Sequence, residues 1–267
     1  MKKIPTKSLL TPIAVIGIAA FAGIGIFHAN GTQVVPLQNT KGLTAAKMAS
    51  KHSGAPPMAE LESGPTETME AQSRRQLRES RNKGFYAEIK DPGKEVEGEA
   101  ETLTLSFLNI SGELEALPVA SSNAVLIGTV KDAKAFVSQD HTYVYSDFTI
   151  AIDTIIKPDS GRALTLNEQI VASRTGGSVR FPSGHITHFM IHGQGLPEVG
   201  SRYVLFLWKP HPQINEYQID RAYQIKNGRI QSLDDGKPFS GFDDMDVLAF
   251  LGQLETAVAN QVPKGGQ

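Results

Sequence analysis

Apolar and polar positions alternate through much of the second half of this chain with the period of strands, and one run breaks the alternation. Val199-Gly200-Ser201-Arg202 leads into Tyr203-Val204-Leu205-Phe206-Leu207-Trp208, and Lys209-Pro210 stops it. Large apolar or aromatic residues then occupy both parities. That pattern predicts a strand roofed on both faces, at the middle of a sheet.

The flanking segments read as its partners. Ala124–Val130 is a continuous apolar strand, in which Gly128 marks a bulge or a close backbone crossing. Lys131–His141 reads as a loop whose first residues can extend that strand. Tyr143–Ile156 is a long strand with Phe148, Ile150, Ile152 and Ile156 on one parity. Asp147, Thr149, Ala151 and Asp153 take the other, so one face is apolar and one largely wet. Lys157–Gly161 is a turn. Gln169–Ser173 is a strand, Arg174-Thr175-Gly176-Gly177 a turn, and Ser178–Phe181 continues from it. Ile186–Ile191 is a strand ended by Gly193-Gln194-Gly195, and Tyr217–Ile225 is another. Lys226-Asn227-Gly228-Arg229 is the strongest hairpin signal, because Asn-Gly accepts positive φ at both central positions. Ile230–Leu233 returns. About seven short strands without intervening helices predict an antiparallel barrel or sandwich over residues 120–238.

A helix is predicted over 239–262. Phe242, Val247, Leu251, Leu254 and Val258 recur at helical steps after Asp243-Asp244-Met245-Asp246, acids suited to a first turn. The expectation is a helix packed on the barrel.

Residues 1–29 have a different pattern. Leu9–Phe27 carries no charge, and at 1.5 Å per residue it spans about 28 Å, close to a hydrocarbon core. Ala20-Phe21-Ala22 has the form of a cleavage site, but cutting there leaves the apolar terminus Gly23–Phe27. An uncleaved transmembrane anchor is therefore the expectation. Lys2, Lys3 and Lys7 precede it, which places the N-terminus in the cytoplasm and the body outside. Residues 30–119 are small, polar and charged with frequent Gly and Pro, and read as a flexible, disordered tether. Within them Thr66–Arg81 suits a solvated helix. Thr102–Leu108 alternates, and suits either a short strand or a segment pairing with the main sheet.

Composition narrows the partners. The 267 residues include 26 Lys and Arg against 28 Asp and Glu, so no positive excess draws nucleic acid. There is no cysteine, which excludes disulfides, thiol catalysis and thiolate metal sites.

Three pieces in order carry a resemblance: Val125-Leu126-Ile127-Gly128-Thr129-Val130, Phe148–Lys157, and Gly200-Ser201-Arg202-Tyr203-Val204-Leu205-Phe206-Leu207. Together they resemble the OB-like barrel of netrin-like domains and of tissue inhibitors of metalloproteinases. The stretch 122–233 is also similar to uncharacterised exported bacterial proteins of this layout. The inhibitors act through an N-terminal cysteine on the protease metal. With no cysteine here, the resemblance implies the fold and not that activity.

Candidate chemistry is sparse. Arg174 and Arg180, near the Gly176-Gly177 and Gly193-Gln194-Gly195 turns, can frame an anion or sugar site, or simply rim hairpins. Tyr143 and Tyr145 add aromatic surface, as do Tyr203 and Trp208, unless the core takes them. His185, His188 and His192 have metal-like spacing. On a strand, His188 and His192 lie about 13 Å apart, too far to share an ion. Ser138, Asp140 and His141 can be drawn as a triad, without a nucleophile-elbow sequence. No metalloprotease, phosphate-loop or dinucleotide motif is present, so no cofactor is expected. The resulting expectation is a non-enzymatic, membrane-tethered binding module for a protein or envelope glycan. The alternative is an extracytoplasmic hydrolase or metal-dependent enzyme using His185–His192.

Overall fold

The computed structural model describes residues 55–61, 72, 76, 89–91, 93, 101–105, 115–138, 140–210 and 216–261. All of them lie within the unit Val34–Gln267. Ten strands occur among these residues: β1 (Met58–Glu60), β2 (Glu101–Leu105), β3 (Ala124–Val137), β4 (Val144–Lys157), β5 (Gln169–Thr175), β6 (Gly177–Arg180), β7 (Ile186–Ile191), β8 (Arg202–Trp208), β9 (Tyr217–Lys226) and β10 (Arg229–Ser232). A 3-10 turn (Phe239–Phe242) and α1 (Val247–Ala259) follow. The fold is mainly β, with largely antiparallel sheets and a C-terminal helix.

Five strands pair in a cycle. β3 is antiparallel to β4 and to β8. β4 also pairs with β5, and β8 with β9. β5 and β9 meet in parallel through Ala172↔Tyr217 and Ser173↔Gln218. Each of the five thus has a neighbour on both sides, and β10 extends the sheet from β9. All five contribute to one interior: Leu126 and Val130, Phe148 and Ile150, Ile170 and Ala172, Tyr203 and Leu205, Tyr217 and Ile219.

The two-sided coverage predicted for β8 is found. Tyr203, Leu205 and Leu207 fill the interior. Val204 and Phe206 face outward and meet Val125, Ile127, Tyr223, Phe250 and Leu254. α1 supplies that outer roof. Asp246 caps it, accepting from the Leu248 and Ala249 N–H groups, so the acid serves as cap and not as a first-turn residue. Phe250, absent from the predicted stripe, is fully buried with Leu254. Each contributes about 1.5–3 kcal/mol of gross transfer energy.

β3 runs on through Lys131–Val137, where a loop was predicted, because this half pairs with the first half of β4. Register shifts along β3–β4 leave Asp153 and Ile156 as extra residues. The first moves the alternation by one. Ile155 therefore packs against the interior, while Ile156, predicted to share the Phe148 face, packs on the helix side. Gly128 lies at a shift and at a close crossing. A Cβ there would lie 2.5 Å from Ile150 Cγ2 and 2.9 Å from the Ala151 carbonyl oxygen. The Asn227-Gly228 hairpin has the positive φ values its sequence predicts, 52° and 72°.

A second sheet has the order β1-β6-β7-β2. The predicted turn at Arg174–Gly177 is shorter than expected: Arg174 and Thr175 complete β5, and the chain bends at Gly176 and Gly177. Two pieces of segment 30–119 take part. β1 lies parallel to β6 and β2 parallel to β7. Neither is apolar enough to form structure alone, but a preformed edge offers main-chain bonds that need few large side chains. Gln72 and Gln76 are helical. The rest of the predicted Thr66–Arg81 helix and the apolar segment Leu9–Phe27 lie outside the described residues. Among the described residues, no helix is long and apolar enough to cross a membrane.

Gly128→Ala is expected to lower stability by about 1–3 kcal/mol through overpacking. Urea unfolding should show a reduced midpoint with an unchanged slope.

Candidate functional site

Three of the four residues expected to bind a ligand gather where the second sheet covers the outer end of the β3–β4 hairpin. Tyr143 and Tyr145 stack with ring centres 5.5 Å apart, and Phe136 stacks on Tyr145 at 5.4 Å. The Tyr143 hydroxyl bonds Thr175 Oγ1 at 2.7 Å. Both tyrosines are buried with Val179, Phe181 and Phe189, under Ala59 and Ile89. Core packing therefore takes Tyr143 and Tyr145, as it takes Tyr203, while Trp208 stays exposed at the end of β8. Arg180 lies at the outer end of β6, half exposed, and donates to Glu60 at 2.9 Å.

Arg174 is elsewhere. It shares the parity of Ile170 and Ala172, so it enters the interior. Its guanidinium donates to both carboxylate oxygens of Asp234, at 2.7 and 2.8 Å, and to the Gly195 carbonyl at 2.6 Å. Its side chain is 2% exposed and that of Asp234 4%. Asp234 also accepts from the Gly195 N–H, and lies 3.6 Å from the Arg221 guanidinium. Arg221 stacks over the Phe239 ring at 4.3 Å. This network ties β5 to the turn before β8 and to the chain after β10. It gives Arg174 internal partners, where the sequence suggested an external one.

Sequence reasoning missed a second buried charge cluster. Lys209 Nζ lies 2.5 Å from Asp159 Oδ2, and the Tyr217 hydroxyl donates to the same oxygen at 2.6 Å. The Gly161 N–H donates to Asp159 Oδ1 at 2.8 Å. Burial pushes the Asp159 carboxyl up, but the bonds from Lys209, Tyr217 and Gly161 outweigh it and hold it below the usual carboxylate range. Burial and the Asp159 carboxylate push the Tyr217 phenol well up, so it remains a donor. In the sequence, Lys209 reads as a strand stop and Asp159 as a turn residue. Their union depends on β8 and the turn after β4 arriving at one end of the ring.

The histidines separate. His188 Nδ1 bonds Ser178 Oγ at 2.7 Å across the β6–β7 pair, and burial lowers its pKa. The Ser178 side chain is fully buried, which closes it to a substrate. His185 is buried and stacks on Phe181. His192 is exposed beyond the end of β7. No group of three or more metal-ligating side chains occurs among the described residues. Ser138 and Asp140 form a turn. The Ser138 hydroxyl donates to Asp140 at 2.7 Å and accepts from the Thr142 and Tyr143 N–H groups. His141, at φ 54°, donates its N–H to the Ser138 carbonyl. Its backbone closes the β3–β4 hairpin.

No protein-family model matches this chain, and no curated protein matches it.

Asp234→Asn leaves Arg174 buried without its counter-charge, and is expected to cost about 3–5 kcal/mol in chemical unfolding. Arg174→Met with Asp234→Leu should recover most of that loss. For Asp159 the folded pKa is depressed. Its stabilisation is therefore present above about pH 4, the ordinary carboxylate range, and lost as pH falls through the lowered pKa. Thermal midpoints of Asp159→Asn should start lower than wild type and fall less steeply with acid.

Proposed function

We propose that the five-stranded cycle is an OB-like barrel, and that the protein is a membrane-tethered, extracytoplasmic binding module for a protein or an envelope glycan. The observation that supports this most is the order of pairing. Taking β3, β4, β5, β8 and β9 as first to fifth, the cycle runs first, second, third, fifth, fourth and back to first. The third and fifth strands meet in parallel. An OB-type Greek-key barrel has strands in this order, which supports the reading. The resemblance in Val125–Val130, Phe148–Lys157 and Gly200–Leu207 falls on its first, second and fourth strands.

The charged groups favour binding over catalysis. Arg174, Asp234, Asp159 and Lys209 are engaged with one another inside the fold. Ser178, which bonds His188, is fully buried, and the Ser138 hydroxyl is held in a turn. Leu9–Phe27 acts as the anchor, with the lysines before it inside and the barrel outside.

The full chain should sediment with membranes, and protease added to intact cells with a permeabilised outer layer should remove the barrel. Immobilised barrel should then retain a protein or glycan from an envelope extract. Recovery as a soluble cytoplasmic protein would reject the location. An extract from which nothing specific is retained would reject the binding role.

A further inference from the structure

We infer that the edge of β6 away from β7 is a strand-addition site, filled in this structure by the chain's own residues 57–61, and that an extended peptide of a protein partner takes the same edge. This inference rests on the binding-module reading and commits it to a protein ligand.

The edge is already seen holding a strand. Met58, Ala59 and Glu60 run parallel to Ser178, Val179 and Arg180. The Ser178 N–H donates to the Pro57 carbonyl at 2.7 Å, and the Leu61 N–H donates to the Arg180 carbonyl at 3.1 Å. Gly177 sets β6 close against the β3–β4 hairpin: with φ at 150°, a Cβ there would crowd Ala135 and Ser146 at 2.9 Å, while the Pro57 carbonyl oxygen of the occupant would stand at an ordinary contact distance of 3.4 Å.

The occupant is lightly held. Of the three β1 residues only Ala59 is buried, among the side chains around Val179 and Tyr145, and Leu61 just after them packs half-buried on the same cluster. Met58 is 37% exposed. Glu60 and Arg180 form a half-exposed pair, which water and salt weaken. β1 is not a member of the ring, so its departure breaks none of the five ring pairings.

What it leaves behind matches a peptide better than a sugar. Main-chain groups of Ser178 and Arg180 would face outward, two residues apart and so about 6.6 Å along the strand, the repeat of an extended chain. Beside them would be the places that Ala59 and Leu61 take against the Val179 and Tyr145 cluster, and the Arg180 guanidinium at the rim. The fitting segment is parallel to β6, with a small apolar residue at the Ala59 position and an acid next to it. Backbone bonds would supply affinity, and those places and Arg180 would supply selectivity.

The probe is a fluorescein-labelled peptide of residues 55–61, APPMAEL, added to the full-length chain in mild detergent. In wild type it competes with an attached copy of itself at an effective concentration of about 1 mM. Ala59→Asp with Glu60→Lys should empty the edge and tighten peptide binding by about tenfold or more. Glu60→Lys alone touches only the exposed pair, and should give a smaller gain, about two- to fivefold, without burying a charge. Arg180→Glu combined with Ala59→Asp alone, which leaves Glu60 acidic so that no reversed pair forms within the chain, should weaken binding of this peptide and favour the same peptide with lysine in place of glutamate. Binding no tighter than wild type in both released variants would overturn the inference, as would a peptide preference unmoved by Arg180→Glu. An envelope protein or glycan retained by the released chain without peptide binding would overturn strand addition and leave the binding module standing. Peptide binding with no envelope ligand retained would do the reverse.

Discussion

The double roof over β8 is the constraint from which the rest follows. A strand with Tyr203, Leu205 and Leu207 on one face and Val204 and Phe206 on the other cannot lie at a wet surface. Its inner face is buried in one interior to which all five strands of the pairing cycle contribute. Its outer face needs another element, and α1 provides it through Phe250 and Leu254. Ring and helix are thus two answers to one strand. The rings of Tyr223, Phe242 and Phe250 meet edge to face or tilted across that seam, geometries that suit the quadrupoles of aromatic rings.

Charge inside the fold acts on position. Arg174–Asp234 and Lys209–Asp159 are too buried to be incidental, and ion pairs of this kind offset desolvation only when nearly every donor and acceptor is met. Each joins an edge of the ring to a turn that would otherwise have no fixed place. Arg174 holds Gly195 and the chain after β10; Asp159 holds the end of β8 through Lys209 and the start of β9 through Tyr217. Lys157 does similar work with the approach to β3, donating to the Val119 and Ser122 carbonyls. These contacts account for polar residues that would otherwise stand as candidates for catalysis.

The second sheet grows from the glycine bend between β5 and β6. It covers Tyr143 and Tyr145, the outer surface of the β3–β4 hairpin. Upstream pieces complete the cover. β1 and β2 take the two edges of the β6–β7 hairpin. Ile89 donates its N–H to the His141 carbonyl, and Asp91 accepts from Ser183. A segment whose composition reads as tether is therefore held to the body at several points, through backbone groups more than side chains.

Much of the strand set was legible in the chain itself. Apolar residues on both parities of Tyr203–Trp208 required two roofs, and Asn227-Gly228 required a tight hairpin, because these are local consequences of side-chain direction and backbone sterics. The helix likewise follows from spacing, although Phe250, its most buried residue with Leu254, lies off the predicted stripe. Three things were decided only by the tertiary structure. The bulge at Asp153, which exchanges the roles of Ile155 and Ile156, depends on how β3 and β4 fit against each other. The partners of Arg174, Asp159 and His188 are dozens of residues away, or across a strand pair whose register no local pattern reveals. The capture of residues 57–61 by β6 uses main-chain groups that every sequence carries alike. Sequence alone thus determined which faces must be buried, since that depends on each residue's own solvation. Which polar groups meet, and what remains free to meet a partner, was left to the packing that brings distant segments together.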